Sequence, residues 1–200
     1  MRRGGVDTGS VIPSTPPPWP VTPPAHGRVV LRRPSGADVP MVRELSTDPY
    51  VPTIGSLTPN ASPAEALAWV HRQHDRYTAG AGFSFTVADA RTDAALGACG
   101  LWLHSLAVGR ATVGYSVAPS ARGRGVAADA LSALTAFGWE VPGLFRIEAY
   151  IEPWNAASAR TAERVGYVRE GLLRSHQPIG GRRRDMLLYA TVRTVHGDPP

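Results

Sequence analysis

The chain has 200 residues, 43% of them hydrophobic and 18% charged, enough for one domain with a buried core and short of what two usually need. All 21 basic residues are arginine, which excludes lysine chemistry from catalysis, and the single cysteine, Cys99, can neither close an internal disulfide nor anchor a multi-cysteine zinc site. A formal charge of +5 suits nucleic acid, membrane phosphate or an anionic cofactor equally, so charge alone selects none of them.

Residues 1–26 are rich in Pro, Gly, Ser and Thr, with Pro16-Pro17-Pro18 and Pro23-Pro24, and hold too few apolar side chains to offset the entropy of ordering them. They are expected to form a disordered tail that supplies no strand, ahead of a single domain over 27–195 and a flexible C-terminus at 196–200. Arg2 and Arg3 are not followed by the apolar stretch of about 7–15 residues that a secretory signal needs, and no apolar run of about 20 residues occurs anywhere. The expectation is a soluble, cytoplasmic protein with no membrane partner.

Arg28 to Arg32 is a short extended run, and polar capping candidates at Ser35 to Asp38 precede a helix over Val39 to Ser46, which Asp48-Pro49 ends. Ser62-Pro63-Ala64-Glu65 has a capping serine, a proline at the first helical position and an acid in the first turn, opening a helix to about Tyr77. Ala66, Trp69, Val70 and Gln73 share its inner face. Apolar and polar residues alternate over Phe83 to Val87, Asp89 to Asp93 make a turn, and Leu96 to Leu103 and Ala111 to Ala118 are further strands. A helix over Gly125 to Phe137 is expected to stop at Gly138. Phe145 to Ile151 alternates again, with Arg146, Glu148 and Tyr150 on its polar face, and Asn155 caps a short helix ending at Gly166. Two strands, about Tyr167 to Arg174 and Asp185 to Val192, flank an Arg/Gly loop. The order is β-α-α-β-β-β-α-β-α-β-β.

The segment that carries chemistry is Pro119-Ser120-Ala121-Arg122-Gly123-Arg124-Gly125-Val126-Ala127, between a strand and a helix. Its glycines let the backbone turn sharply and approach a ligand, while the free N–H groups and positive dipole end of the helix point to the same place: a phosphate cradle. No Gly-Lys-Ser/Thr follows, and G-x-G-x-x-G is absent, so it is neither a Walker loop nor a dinucleotide fingerprint. A purely structural turn remains the competing reading.

This segment resembles motif A of the GNAT acetyltransferase superfamily, Arg/Gln-x-x-Gly-x-Gly/Ala, standing here as Arg122-x-x-Gly125-x-Ala127. Asn155-Ala156-Ala157-Ser158, followed by Glu163-Arg164-Val165-Gly166-Tyr167-Val168-Arg169-Glu170-Gly171, is similar to the Asn-x-x-Ser…Glu-Lys-x-Gly-Phe-x-x-Glu-Gly signature of the RimJ/RimL-type branch, with Arg164 in place of the usual Lys and Tyr167 in place of Phe. The resemblance covers about Arg28 to Arg193. It implies an α+β GNAT fold, with a mixed, mostly antiparallel sheet splayed between its central strands and flanked by helices. It also implies direct transfer of an acetyl group from acetyl-CoA to a primary amine. The backbone of Ser116, Val117 and Ala118 would take the pantetheine arm, the N–H groups of Arg122, Gly123, Arg124, Gly125, Val126 and Ala127 the pyrophosphate, and Asn155 the arm again. Ser158 would assist the departing thiolate.

Each assignment has a plainer competitor. Asn155 and Ser158 also suit a helix cap and its first turn, Arg122 and Arg124 suit solvated charges, and Glu148, the candidate base, suits a surface carboxylate. Glu170 is expected to anchor the Gly166 to Gly171 turn. His71 and His74 lack a further ligand at metal spacing, so no metal is expected; Trp69 and Trp102 either line an acceptor pocket or pack the core. The acceptor is expected to be a protein or peptide N-terminal α-amine. A small-molecule amine (an aminoglycoside, amino acid or polyamine) is the first alternative, and a nucleic-acid-binding module using Arg182-Arg183-Arg184 the second. A homodimer is compatible with the sequence.

Overall fold

A computed structural model describes residues 17–193. Residues 1–16 and 194–200, with the C-terminal stretch 196–200 expected to be flexible, lie outside the described residues. Eight strands form one sheet in the order β1-β2-β3-β4-β5-β6-β8-β7: β1 Ala25–His26, β2 Val29–Arg32, β3 Gly82–Asp89, β4 Ala95–Trp102, β5 Arg110–Val117, β6 Arg146–Ile151, β7 Val168–Ile179 and β8 Arg182–Val192. All neighbours are antiparallel except β5 and β6. The helices are α1 Val39–Ser46, α2 Pro63–Thr78, α3 Val126–Gly138 and α4 Ala156–Arg164.

Local chemistry sets the helix ends. At α2 the Glu65 N–H donates to Ser62 Oγ (3.3 Å) and the Ser62 N–H donates to Glu65 Oε2 (2.9 Å), a reciprocal cap that satisfies two otherwise free donors. At α4 the Ser158 N–H donates to Asn155 Oδ1 (3.1 Å), and Gly166, at φ +92, ends the helix region. Gly138 does not stop α3: it is the helix's last residue, and an added Cβ would lie 2.7 Å from Ile147 Cδ1, so the glycine serves close packing of α3 on β6.

Three other expectations are corrected. Ser84 and Thr86, the polar alternates of β3, are as buried as Phe83 and Phe85, because both faces of the sheet are covered there. Phe83 and Phe85 meet Phe137 of α3 at ring separations of 4.8 and 5.4 Å, while Thr86 Oγ1 donates to the buried Asp38 (2.8 Å). The Arg/Gly loop near the C-terminus is mostly strand: β7 and β8 extend to Ile179 and from Arg182, and only Gly180-Gly181, both at positive φ, form the turn. Arg182, Arg183 and Arg184 therefore lie on a strand.

The tail expectation also fails for residues 17–26. His26 pairs with Val29 in β1–β2, and Trp19 packs against Tyr77, Phe83 and Phe85 at 5.2, 5.6 and 4.8 Å, with the Arg33 guanidinium 4.3 Å from the Trp19 ring. One large aromatic offsets the ordering cost that the surrounding prolines could not. Trp19→Ala is expected to cost about 2 kcal/mol, read by urea denaturation. A chain beginning at residue 27 should lose about as much.

Candidate functional site

The parallel pairing of β5 with β6 runs only from Arg110↔Arg146 to Val113↔Ala149. Beyond it β5 stays with β4 through Val117↔Gly97, and β6 stays with β8 through Ile151↔Leu187. The two strands part like a fork, leaving the facing edge of Gly114 to Val117 without a strand partner. Two cavities, about 900 and 400 Å³, meet at this fork and share Tyr50, Val113, Gly114, Tyr115, Ser116 and Tyr150 among their lining residues.

The larger cavity runs from the fork to the N-terminus of α3. Gly123 and Gly125 sit at φ +75 and +79, and a Cβ on either would meet no atom within 4 Å; the empty space before them is where a ligand can touch bare backbone. Gly125 also caps α3, so the free N–H groups of its first turn and its positive dipole end open on the same cavity. Arg122, Gly123, Gly125, Val126 and Ala127 line it; Arg124 does not, its guanidinium donating to the Ser120 carbonyl, and Ala118 is buried. Arg122 donates from Nε to Val117 O (3.0 Å) and from Nη2 to Asp48 Oδ2 (2.6 Å). Burial pushes the Asp48 carboxyl up, but the Val51 N–H, Arg122 and the Tyr50 N–H together hold it below the usual carboxylate range. Asp48 thus ties the cradle loop to the segment that carries Tyr50 and Val51.

On the far wall stand Asn155, Ser158, Arg160, Thr161 and Arg164 of the α4 region. The Ser158 hydroxyl lies 2.8 Å from the Tyr115 hydroxyl, which also donates to Ser158 O (3.2 Å). Burial pushes the Tyr115 phenol up, against hydrogen bonding to Ser158 and Thr161, so at neutral pH it stays protonated and able to donate. Sequence reasoning gave Tyr115 and Arg160 no role and noted Arg164 only as a departure from a motif. The signal for the arginines was present, since residues four apart on α4 share a face.

Glu148 is buried and lines neither cavity. It accepts from Arg146 Nε (2.6 Å) and from the Tyr150 hydroxyl (2.7 Å). Burial pushes its carboxyl up, but Arg146, Tyr150 and Arg110 hold it below the usual range. Tyr150, its phenol pushed up to about 12 by burial and by Glu148, lines both cavities and is the group through which Glu148 reaches the fork. Glu170, expected to anchor a local turn, instead grips Arg146 with both oxygens and completes a Glu170–Arg146–Glu148–Tyr150 chain.

The smaller cavity lies between the fork and α2. Trp69 and Trp102 line it, with Tyr50, Ile54, Leu57, Gln73, Arg76, Ser84, Cys99 and Met186. Gly100 and Gly114 make room for the Trp102 indole, since a Cβ on either would come within 3.1 Å of its ring. The Cys99 thiol is pushed far up by burial, which keeps it protonated and a poor nucleophile. His74 Nε2 lies 2.6 Å from Pro34 O, a structural bond, and among the described residues no group of three or more metal-ligating side chains occurs. No helix among them is long and apolar enough to cross a membrane.

Comparison with known proteins agrees with this geometry. The chain is 28% identical over 166 residues to the uncharacterized N-acetyltransferase p20 of Bacillus licheniformis, covering 83% of this chain and 93% of that protein. Mycobacterium smegmatis RimJ in complex with CoA-disulfide superimposes with a TM-score of 0.70 at 25% identity, covering 86% of this chain and 84% of that one. RimL, a ribosomal L7/L12 α-N-protein acetyltransferase solved with coenzyme A, shares the fold with a TM-score of 0.69 at 18% identity, covering 84% and 96%. The family model of the acetyltransferase (GNAT) domain matches residues 28–168: the chain belongs to the GNAT family and is an acetyl-CoA-dependent N-acetyltransferase.

Proposed function

We propose that the acceptor is the α-amine of a protein or peptide N-terminus. The observation that carries this reading is the weakness of the base the fork offers. No carboxylate lines the smaller cavity, and Glu148, reached only through Tyr150, is held ionised by arginines and is a poor terminal acceptor for a proton. An α-amine with a pKa near ~8 is roughly ten percent neutral at pH 7, whereas an alkyl amine near ~10.4 is below about 0.1 percent and needs a strong base. RimL, a ribosomal L7/L12 α-N-protein acetyltransferase, shows that the same fold accommodates this acceptor class. A small-molecule amine is the second reading, favoured by the size of the smaller cavity, about 400 Å³, which lies within the range of small-ligand sites.

In this reading acetyl-CoA supplies an acyl group activated as a thioester. The N–H groups around Gly123 to Ala127 bind its pyrophosphate, with Arg160 and Arg164 facing the same anionic moiety, and the unpaired edge of β5 and Asn155 receive the pantetheine arm. The fork holds amine and thioester together. As the amine nitrogen bonds to the acyl carbon, Tyr150 accepts a hydrogen bond from the nitrogen while donating its own to Glu148, whose charge favours the positive charge growing on nitrogen. The carbon–sulfur bond breaks as the nitrogen releases its extra proton to solvent at the open mouth of the fork, while Ser158, backed by Tyr115, gives the sulfur a proton and takes one back from solvent. No residue is acylated.

The direct test is mass spectrometry of products after incubation with acetyl-CoA, a library of peptide N-termini and a panel of alkyl amines. Acetylation at α-amines is expected, and acetylation confined to alkyl amines overturns the reading. For the cradle, Gly125→Val places a β-branched residue at φ +79 with its side chain in the ligand space. The Kd for acetyl-CoA by titration calorimetry should rise tenfold or more, about 1.4 kcal/mol, with Gly125→Asn less affected. Near-normal affinity in the valine variant would remove this loop from the cofactor site.

Ser158→Ala separates catalysis from capping, because the cap uses the Ser158 N–H and the Asn155 side chain, neither of which the substitution removes. Lowering of kcat by ~10²–10⁴-fold is expected, with the KM for acetyl-CoA nearly constant and a stability loss no greater than the about 1 kcal/mol of the one hydrogen bond to Tyr115. A wild-type kcat in this variant excludes Ser158 as a proton donor.

A further inference from the structure

Among the residues that line the smaller cavity, Arg76 alone is charged. It stands in the last turn of α2, half-buried, and its guanidinium is held in place: Nη1 donates to Gln73 Oε1 (2.7 Å) and Nη2 to Ser56 Oγ (3.3 Å). Gln73 is itself 2% exposed and fixed by its Nε2 donating to Trp69 O (2.8 Å). Two of five guanidinium donors are thereby used. Among the described residues Arg76 makes no ion pair, nor does Arg72 one turn before it. Like charges four apart on a helix repel, and Asp75 in the same turn makes no ion pair with either arginine among the described residues, so this end of α2 carries net positive charge beside the cavity. The two buried glutamates at the end of β6 are engaged elsewhere. Glu148 is taken by Arg146 and Tyr150, and Glu152, buried beside Tyr50, has Arg184 at 3.6 Å.

A cavity with one oriented cation and no lining anion disfavours a polyamine and favours an acceptor of the opposite pattern. We infer that the acceptor carries a carboxylate close to its reacting amine, and that Arg76 binds it. This rests on the reading that the smaller cavity takes the acceptor. Two chemical sources fit: an acidic side chain at the first or second position of a peptide N-terminus, or the main-chain carboxylate of a free amino acid. A planar guanidinium with donors to spare pairs bidentately with either.

The test is steady-state kinetics of the full chain with acceptors that differ only in the anion: otherwise identical peptides beginning Ser-Asp or Ser-Asn, and free serine against serinamide. The wild-type enzyme is expected to prefer the acidic member of one pair by about 10- to 100-fold in kcat/KM, the range for a hydrogen bond to a charged group. Which pair shows it identifies the source. Arg76→Gln should lower kcat/KM for that acidic acceptor by the same factor, chiefly through KM, while the amide acceptor and the KM for acetyl-CoA stay within about threefold. A purely structural Arg76 predicts equal losses on both members, and that result, or equal wild-type use of acid and amide, overturns the inference. If no α-amine is acetylated at all, the acceptor reading above fails separately. Titration with two pairs that need no turnover and differ only in the anion, N-acetyl-aspartate α-amide against N-acetyl-asparaginamide and N-acetylserine against N-acetylserinamide, then decides Arg76: acid-selective binding in either pair that is lost in Arg76→Gln upholds the inference, and its absence from both pairs in the wild type ends it.

Discussion

A strand inside a sheet ordinarily pairs on both edges, because buried N–H and C=O groups left without partners are costly. From Gly114 onward β5 breaks this rule on its β6 side, and the rest of the molecule is arranged to hold it open. β4 keeps β5 in register as far as Val117, and β8 keeps β6 in register as far as Ile151, so neither strand can swing across to close the gap without losing pairs elsewhere. The last shared rung, Val113↔Ala149, is the hinge point of the fork. Both cavities exist because of it, and a ligand that lays an extended amide chain along β5 can supply the missing partner.

The same geometry separates the two proton positions. Tyr115 is on β5 and Tyr150 on β6, both line both cavities, and burial favours the protonated phenol in each. Their partners differ. Tyr115 is joined to a neutral hydroxyl, Ser158, and suits donation to a leaving group. Tyr150 is joined to an ionised carboxylate and suits a site where positive charge grows. In the proposed reaction two similar side chains would serve different halves of one transfer because the strands beneath them have parted.

What the sequence made legible is what local chemistry decides. The caps Ser62/Glu65 and Asn155, the glycine pair before α3 and the alternation of β6 each act within a few residues, so their elements could be placed from spacing alone. What escaped depends on contacts far apart in the chain. Trp19 belongs to a proline-rich stretch whose composition argues for disorder, and only the distant partners Phe83 and Phe85 reverse that argument. Arg182 to Arg184 look like loop residues until the two-glycine turn fixes a long hairpin around them. Gly138 carries the usual mark of a helix stop, yet its reason lies in Ile147, nine residues on and in another element. Arg122 is placed by the motif and its backbone N–H, and its side chain goes to Asp48, a pairing over 74 residues that no motif encodes.

That pairing links the two cavities. Asp48 accepts from the Tyr50 and Val51 N–H groups at 2.7 and 2.9 Å, and those residues line the smaller cavity as well as the larger one. A polyanion bound at the cradle would compete with Asp48 for Arg122, and weakening their bond would loosen the tie between the cradle loop and the segment that carries Tyr50 and Val51. The side-chain exposures, 47% for Arg122 and 11% for Asp48, place the arginine as the partner open to solvent and therefore the one able to turn toward an arriving phosphate. Asp48 would still be held by the two backbone N–H groups. The bond from Arg122 Nε to Val117 O belongs to the same planar guanidinium as the bond to Asp48, so a turn of this side chain toward a phosphate would loosen the tie to β5 together with the tie to the Tyr50 segment.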